Sequence, residues 1–185
     1  MRLFVALELT EEVHAALRAL VGRLKRSQAD ARWVRPEGMH LTLKFMGETA
    51  EEKLAGVKQA LAGVRSPQPV RAAFRTVGYF PNERQPRVFW VGVQASDNLA
   101  ALAADIEAGL AALGVKREQR AFRPHLTLAR FKSGRGLPAL KKEIAALEAT
   151  EFGALETSAF HLFQSKLSPQ GAQYMKLTSF PFVRR

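Results

Sequence analysis

His40-Leu41-Thr42-Leu43-Lys44-Phe45 and His125-Leu126-Thr127-Leu128-Ala129-Arg130-Phe131 are two copies of one pattern. The shared tetrapeptide recurs 85 residues on, close to half of the 185-residue chain. An Arg-Pro pair lies upstream of each copy, Arg35-Pro36 and Arg123-Pro124. Two of the four histidines sit in this repeat. A repeated apolar/polar tetrapeptide is weak information by itself. One that holds His and Thr in the same phase, once in each half, points to internal duplication.

In a strand, residues i and i+2 share a face, about 6.6–6.8 Å apart. His40 and Thr42 therefore share a face, as do His125 and Thr127, while Leu41, Leu43, Leu126 and Leu128 point the other way, into a core. Two lobes related by a pseudo-two-fold axis would bring the two polar faces together across a cleft. Two imidazoles and two hydroxyls would then surround one small anion.

That set suits a phosphodiester. A neutral histidine takes a proton from the attacking water, and a protonated one gives a proton to the leaving ribose oxygen. Histidine titrates near neutrality, so both forms are accessible. Threonine hydroxyls donate to non-bridging oxygens. The two motifs are alike, so their spacing leaves open which histidine is acid and which is base. A zinc site would need three or four ligands, and no carboxylate or third histidine lies beside either motif. His14, among Glu and Ala, is expected to face solvent. His161, alternating with apolar residues, is expected to be structural or exposed. Lys44 falls on the His40 face under strict alternation, where it reads as a surface lysine, with assistance to a phosphate as the alternative. Arg130, five residues after His125, falls on the opposite face unless the strand ends or bulges there. Phe4 reads as a core residue, with stacking on a base as the alternative, and Trp33 and Trp90 read as core or cleft-wall residues.

Working outward, residues 2–9 read as a strand. Thr10 caps a helix to about Lys25, with Glu11 and Glu12 in its first turn. Pro36-Glu37-Gly38 is a turn, and Met39 to Met46 a strand ending at Gly47. Thr49 is expected to cap a helix over 50–63. Val70–Phe80 and Arg87–Val93 form a hairpin around a basic loop. Asp97 is expected to cap a helix over 98–113, stopped by Gly114. A strand follows over 125–131, then a flexible basic linker, Ser133-Gly134-Arg135-Gly136, and a helix from Pro138 to about Leu147. Phe152–Leu167 and Gln173–Phe180 read as a final strand pair, with Arg184-Arg185 as an exposed tail. The mixed order with hairpins predicts an α+β fold rather than a doubly wound parallel sheet.

Lys and Arg number 28 against 17 Asp and Glu, a formal net charge of +11. Such a chain is compatible with a nucleic-acid or phosphate partner. The absence of cysteine excludes disulfides, Cys-based zinc sites and a cysteine nucleophile. A disulfide-free chain suits a reducing compartment, and no apolar leader or membrane-length run stands in the sequence, so a cytoplasmic protein is expected. A monomer is the default.

The two H-x-T-x motifs resemble the signature of the 2H phosphoesterases. The fuller context resembles their RNA 2′,3′-cyclic phosphodiesterase branch, long called 2′-5′ RNA ligases. The matching stretches are Arg2–Leu7, Met39–Gly47, Arg87–Gly92, Arg123–Arg130 and Gly171–Pro181, so the likeness runs from end to end. It implies one domain over 1–185 with two pseudo-symmetric lobes, antiparallel sheets lining a central cleft and helices outside. It also implies metal-independent, cofactor-free opening of RNA 2′,3′-cyclic phosphate ends to 2′-phosphates, with an ATP-independent 2′-5′ joining reaction. By the same likeness His40 is the proton donor and His125 the acceptor, and Thr42, Thr127 and Arg130 hold the phosphate. A cyclic ADP-ribose phosphate or a 2′-5′ oligonucleotide is the alternative substrate, and a non-catalytic RNA-binding module the alternative role.

Overall fold

The computed structural model describes residues 1–147, 150–168 and 171–182. Among these, the strands are β1 (Arg2–Leu7), β2 (Ala31–Trp33), β3 (Leu41–Glu48), β4 (Val70–Phe80), β5 (Val88–Ala95), β6 (His125–Phe131), β7 (Glu151–Thr157), β8 (Ala159–Ser168) and β9 (Gly171–Pro181). The α-helices are α1 (Glu11–Leu24), α2 (Leu54–Ala62), α3 (Asn98–Ala111) and α4 (Leu137–Ala145). The Arg184-Arg185 tail lies outside the described residues.

The strands form two sheets, in the orders β3-β1-β8-β9 and β2-β6-β5-β4-β7, and every pairing is antiparallel. The second sheet without β2 repeats the order of the first: motif strand, then the strand that feeds the following α-helix, then two more. The α+β expectation holds, and so does the bilobal arrangement around a cleft, with β3 and β6 in contact between the sheets. The first sheet joins the chain's beginning to its end, so the lobes are not its two halves. The helices cross over as well: α1 leaves β1 of one sheet but packs on β7 of the other, and α3 leaves β5 but packs on β3.

Sequence explains the packing. In β1, Leu3, Val5 and Leu7 alternate with Phe4 and Ala6, and all five are buried, because helices cover one face and the cleft floor the other. Along α1, Val13, Leu17, Leu20, Val21 and Leu24 form the buried stripe, and the Thr10 hydroxyl accepts from the Val13 amide at 3.3 Å. Fully buried Phe74, Phe89 and Phe160 anchor the core, each worth about 1.5–3 kcal/mol of apolar burial.

Several elements differ from expectation. The stretch read as one strand over 152–167 is two strands in different sheets. Thr157 turns the corner through its hydroxyl, which is hydrogen-bonded to both the amide and the carbonyl of Ala159. No glycine or proline marks that turn. Strand β2 was not expected, because three residues carry no readable period. Thr49 caps no helix: its hydroxyl donates to the Gly47 carbonyl at 3.4 Å, its amide to Met1, and a short 3₁₀ turn over Glu51–Lys53 precedes α2. Asp97 makes no side-chain cap on α3, and the Ser96 carbonyl takes the Leu99 amide instead. The 133–136 segment is a pinned turn, with Ser133 donating to the Asp30 carboxylate at 2.7 Å. Gly136 there has φ +73°, and a Cβ would sit 2.7 Å from the Ala29 Cα.

Candidate active site

Both motif histidines are held by the same local device. His40 Nδ1 lies 2.9 Å from the Gly38 carbonyl and His125 Nδ1 2.8 Å from the Arg123 carbonyl, each two residues back. A carbonyl only accepts, so each Nδ1 carries the proton. Each Nε2 is thereby left as the reactive nitrogen, an acceptor in the neutral ring and a donor in the charged one. His40 stands one residue ahead of β3, while His125 is the first residue of β6.

Both motif strands carry a bulge at the same place. On β3, Thr42 pairs with Ala6 and Lys44 with Val5, so Leu43 is left without a partner. On β6, Thr127 pairs with Trp90 and Ala129 with Phe89, so Leu128 is left over. A bulge adds one residue and shifts the alternation. Two consecutive residues are accordingly buried in each strand, Leu43 with Lys44 and Leu128 with Ala129. Residues at the fifth place after each histidine return to the polar side, Phe45 at 65% exposure and Arg130 also exposed.

Arg130 thus reaches the His125–Thr127 face through the bulge that strict alternation lacks. Lys44 is corrected by the same shift: it is buried, not beside the phosphate position. Its ammonium donates to the Glu107 carboxylate and to the Lys116 carbonyl, both at 2.7 Å. Next to Arg130 on the neighbouring strand, directly opposite, is exposed Arg32.

The walls are aromatic in both lobes. Around His40 stand Phe163 (ring centres 4.4 Å apart), Tyr174 (5.4 Å) and Phe4 (5.9 Å). Beside His125 is Phe80 at 5.0 Å, itself 5.2 Å from Trp90. Trp90 lies flat on β4 because residue 78 is glycine; a Cβ there would be 2.3 Å from the indole. Of the large exposed apolar residues among those described, Phe45, Tyr174 and Met175, the first two lie on the His40 side. Phe4 bridges Phe45 and Tyr174 at 5.7 and 5.3 Å.

Burial pushes the His40 pKa below its ordinary value, whereas the Gly38 hydrogen bond and the Glu8 carboxylate pull it back up. His14 is half-buried rather than solvent-facing, bonded through Nδ1 to the Pro36 carbonyl at 2.8 Å. His161 is buried, with Nδ1 2.9 Å from the Ser179 hydroxyl. Among the described residues, no group of three or more His, Asp or Glu is arranged to hold a metal ion, and no helix is long and apolar enough to cross a membrane. Sequence reading missed Phe45, Tyr174 and Glu8. The signal for Phe45 was its place five residues after His40, matching Arg130 after His125.

Twinned H-x-T strands, bulged alike and set in two like-ordered sheets around a cleft, are the frame of a 2H-class phosphoesterase. The chain belongs to the LigT-like phosphoesterase family, whose model matches twice, over residues 7–90 and 91–174. It is 36% identical to the RNA 2′,3′-cyclic phosphodiesterase of Archaeoglobus fulgidus, over 97% of this chain and 99% of that one. Among solved structures it resembles TT0787 of Thermus thermophilus, with TM-score 0.79 and 34% identity over 100% of this chain and 98% of the other. It also resembles Escherichia coli LigT complexed with 3′-AMP, with TM-score 0.76 and 26% identity over 98% and 97%.

Proposed function

We propose that this protein opens the 2′,3′-cyclic phosphate ends of RNA to 2′-phosphates by two-histidine acid–base catalysis without a metal. The observation that carries the reading is the twinned histidine device: two Nε2 atoms left as the reactive nitrogens, each with a threonine two residues on. His125 Nε2 accepts the proton of the attacking water as the water oxygen bonds to phosphorus. The P–O3′ bond breaks, and His40 Nε2–H gives its proton to O3′. The products are a 2′-phosphate, which keeps the water's second proton or releases it to solvent, and a 3′-hydroxyl; His125 is now protonated and His40 neutral, and the pair resets as His125 gives its proton to solvent and His40 takes one back. Each transfer typically contributes about 10²–10⁴-fold in rate.

Thr42 and Thr127 donate to the non-bridging oxygens, and Arg130 pairs with their charge. Arg32 opposite Arg130 supports an anionic occupant, since like charges directly opposite repel unless an anion lies between them. Phe45 and Tyr174 offer faces on which a nucleobase stacks. The 3′-AMP bound by the E. coli relative fits a ribose phosphate in such a cleft. If a 5′-hydroxyl replaces water as the nucleophile, the same proton transfers make a 2′-5′ linkage without ATP. Residues 1–185 act as one cytoplasmic domain of two pseudo-symmetric lobes, in a monomer.

The test is hydrolysis of a nucleoside 2′,3′-cyclic monophosphate in EDTA, with the phosphate position read by ³¹P NMR. A 2′-phosphate is expected. A 3′-phosphate would reassign the leaving oxygen. An absence of turnover with RNA still bound would favour a binding module, and parallel assays with cyclic ADP-ribose phosphate and 2′-5′ oligonucleotides decide between substrates.

A further inference from the structure

We propose that Glu8 is a positioning residue for His40: its carboxylate keeps the proton on the His40 imidazole, and Lys176, clamped to the same carboxylate, sets how much of that charge His40 feels. The inference deepens the reading of His40 as proton donor and rests on it.

The geometry comes from the register. Leu7 pairs with Leu41 as the last rung between β1 and β3, so the next residues on that antiparallel course are Glu8 and His40. On the other side of β1, Ala6 pairs with His161. Glu8 therefore stands between two histidines at the end of a central strand. Its Oε2 lies 3.4 Å from His161 Nε2, and Lys176 Nζ donates to both of its oxygens at 2.9 Å. Phe163, which pairs with Lys176 across β8 and β9, puts its ring 4.4 Å from His40 and 6.0 Å from His161. An apolar ring thus separates the two imidazoles; the Glu8 carboxylate meets His161 directly, and its charge also reaches His40.

Every element against His40 brings a group to weigh. Strand β1 leads into Glu8, the Pro36–Gly38 turn that holds His40 carries Glu37, which is paired with Arg18 at 3.1 Å, α1 carries His14, β8 carries His161, β9 carries Tyr174 and Lys176, and His125 belongs to the sheet across the cleft. Among the described residues, Glu8 is the carboxylate whose charge reaches His40 in the favourable sense, while His14 and His161 oppose it. His161 is satisfied when neutral, since the Ser179 hydroxyl can donate to Nδ1 while Nε2–H faces Glu8. Burial among Phe4, Phe163 and Tyr174 disfavours the imidazolium that a proton donor must be. A carboxylate at this place offsets that cost. The site histidine in the other lobe has no equivalent, because the residue that follows the same strand position there is neutral: His125 pairs with Gly92, followed by Val93 and Gln94.

The experiment is an NMR titration of the His40 ring in the full chain, wild type against Glu8→Gln and Lys176→Met, with kcat/KM–pH profiles of the same proteins. Glu8→Gln is expected to lower the His40 pKa, and Lys176→Met, which leaves Glu8 less compensated, to raise it. In the rate, Glu8→Gln should cost about fivefold on the alkaline side, the worth of one carboxylate charge at a partly solvated distance. Shifts of opposite sign cannot come from a merely structural ion pair, which would leave His40 unchanged in both. An unmoved His40 in Glu8→Gln, or movement in the same direction in both variants, overturns the inference. A His40 that titrates as expected while the acid limb of the profile moves instead supports the Glu8 coupling and reassigns His40 as the base.

Discussion

The buried pair between Lys44 and Glu107 allows a sharp test of how the bulged motif strand is held. The Lys44 side chain is only 4% exposed and Glu107 22%, and the ammonium meets the carboxylate and the Lys116 carbonyl at 2.7 Å each. Glu107 also takes the Glu118 amide at 3.0 Å. Glu107→Ala leaves a buried ammonium with one carbonyl, and removal of one partner of a buried pair costs about 3–5 kcal/mol. The retained carbonyl argues for the lower end, about 3 kcal/mol. At roughly 2–4 °C per kcal/mol for a chain of this size, Tm should fall by roughly 6–12 °C. Lys44→Met replaces the charge with an apolar chain of similar length. It leaves a Glu107 carboxylate that keeps its amide and some solvent, so the expected cost is under about 1 kcal/mol. Equilibrium urea unfolding and calorimetry of the two variants measure both. Equal losses in the two, or a Glu107→Ala cost below about 1 kcal/mol, would refute the reasoning that the β3 bulge buries an ammonium dependent on one carboxylate.

Four further outcomes concern the site. His40→Ala and His125→Ala should each lose about 10²–10⁴-fold in kcat with an unchanged circular dichroism spectrum; full hydrolysis by either variant would sink the two-histidine mechanism. Because burial holds the His40 pKa below its ordinary value, a donor His40 loses its proton at lower pH than an exposed histidine would. The alkaline limb of kcat/KM should therefore lie low, and the limb of kcat higher, since a bound phosphate anion favours the charged ring. Arg130→Ala should raise KM for cyclic phosphate ends and flatten the salt dependence of binding, whereas Arg87→Ala, on the loop side of β5, serves as the charge-matched control. Gly78→Ala would drive a Cβ to 2.3 Å from the Trp90 ring and should cost about 1–3 kcal/mol by overpacking, read by thermal melting and by Trp fluorescence.

Much of this protein was legible in the sequence. The in-phase His and Thr pairs, the leucines between them and the helical stripe of α1 are local patterns, and periods of 2 and 3.6 report directly which face meets the core. The repeat also announced two like half-sites, because one copy of the motif stands in each half of the chain. What the chain could not announce was decided where strands meet strands. A bulge has no signature in a single strand, for it is a mismatch between two; the neighbours Val5–Ala6 and Phe89–Trp90 fix it, and with it the burial of Lys44 and the exposure of Phe45 and Arg130. The crossing from β7 to β8 likewise depends on which sheet has a free edge. Glu8 became a neighbour of His40 only through the β1–β3 register, and of Lys176 only because β8 and β9 return, more than 150 residues later, to close the same sheet. Periodicity is a property of the chain, whereas register and electrostatic neighbourhood belong to pairs of strands, and only the folded molecule decides them.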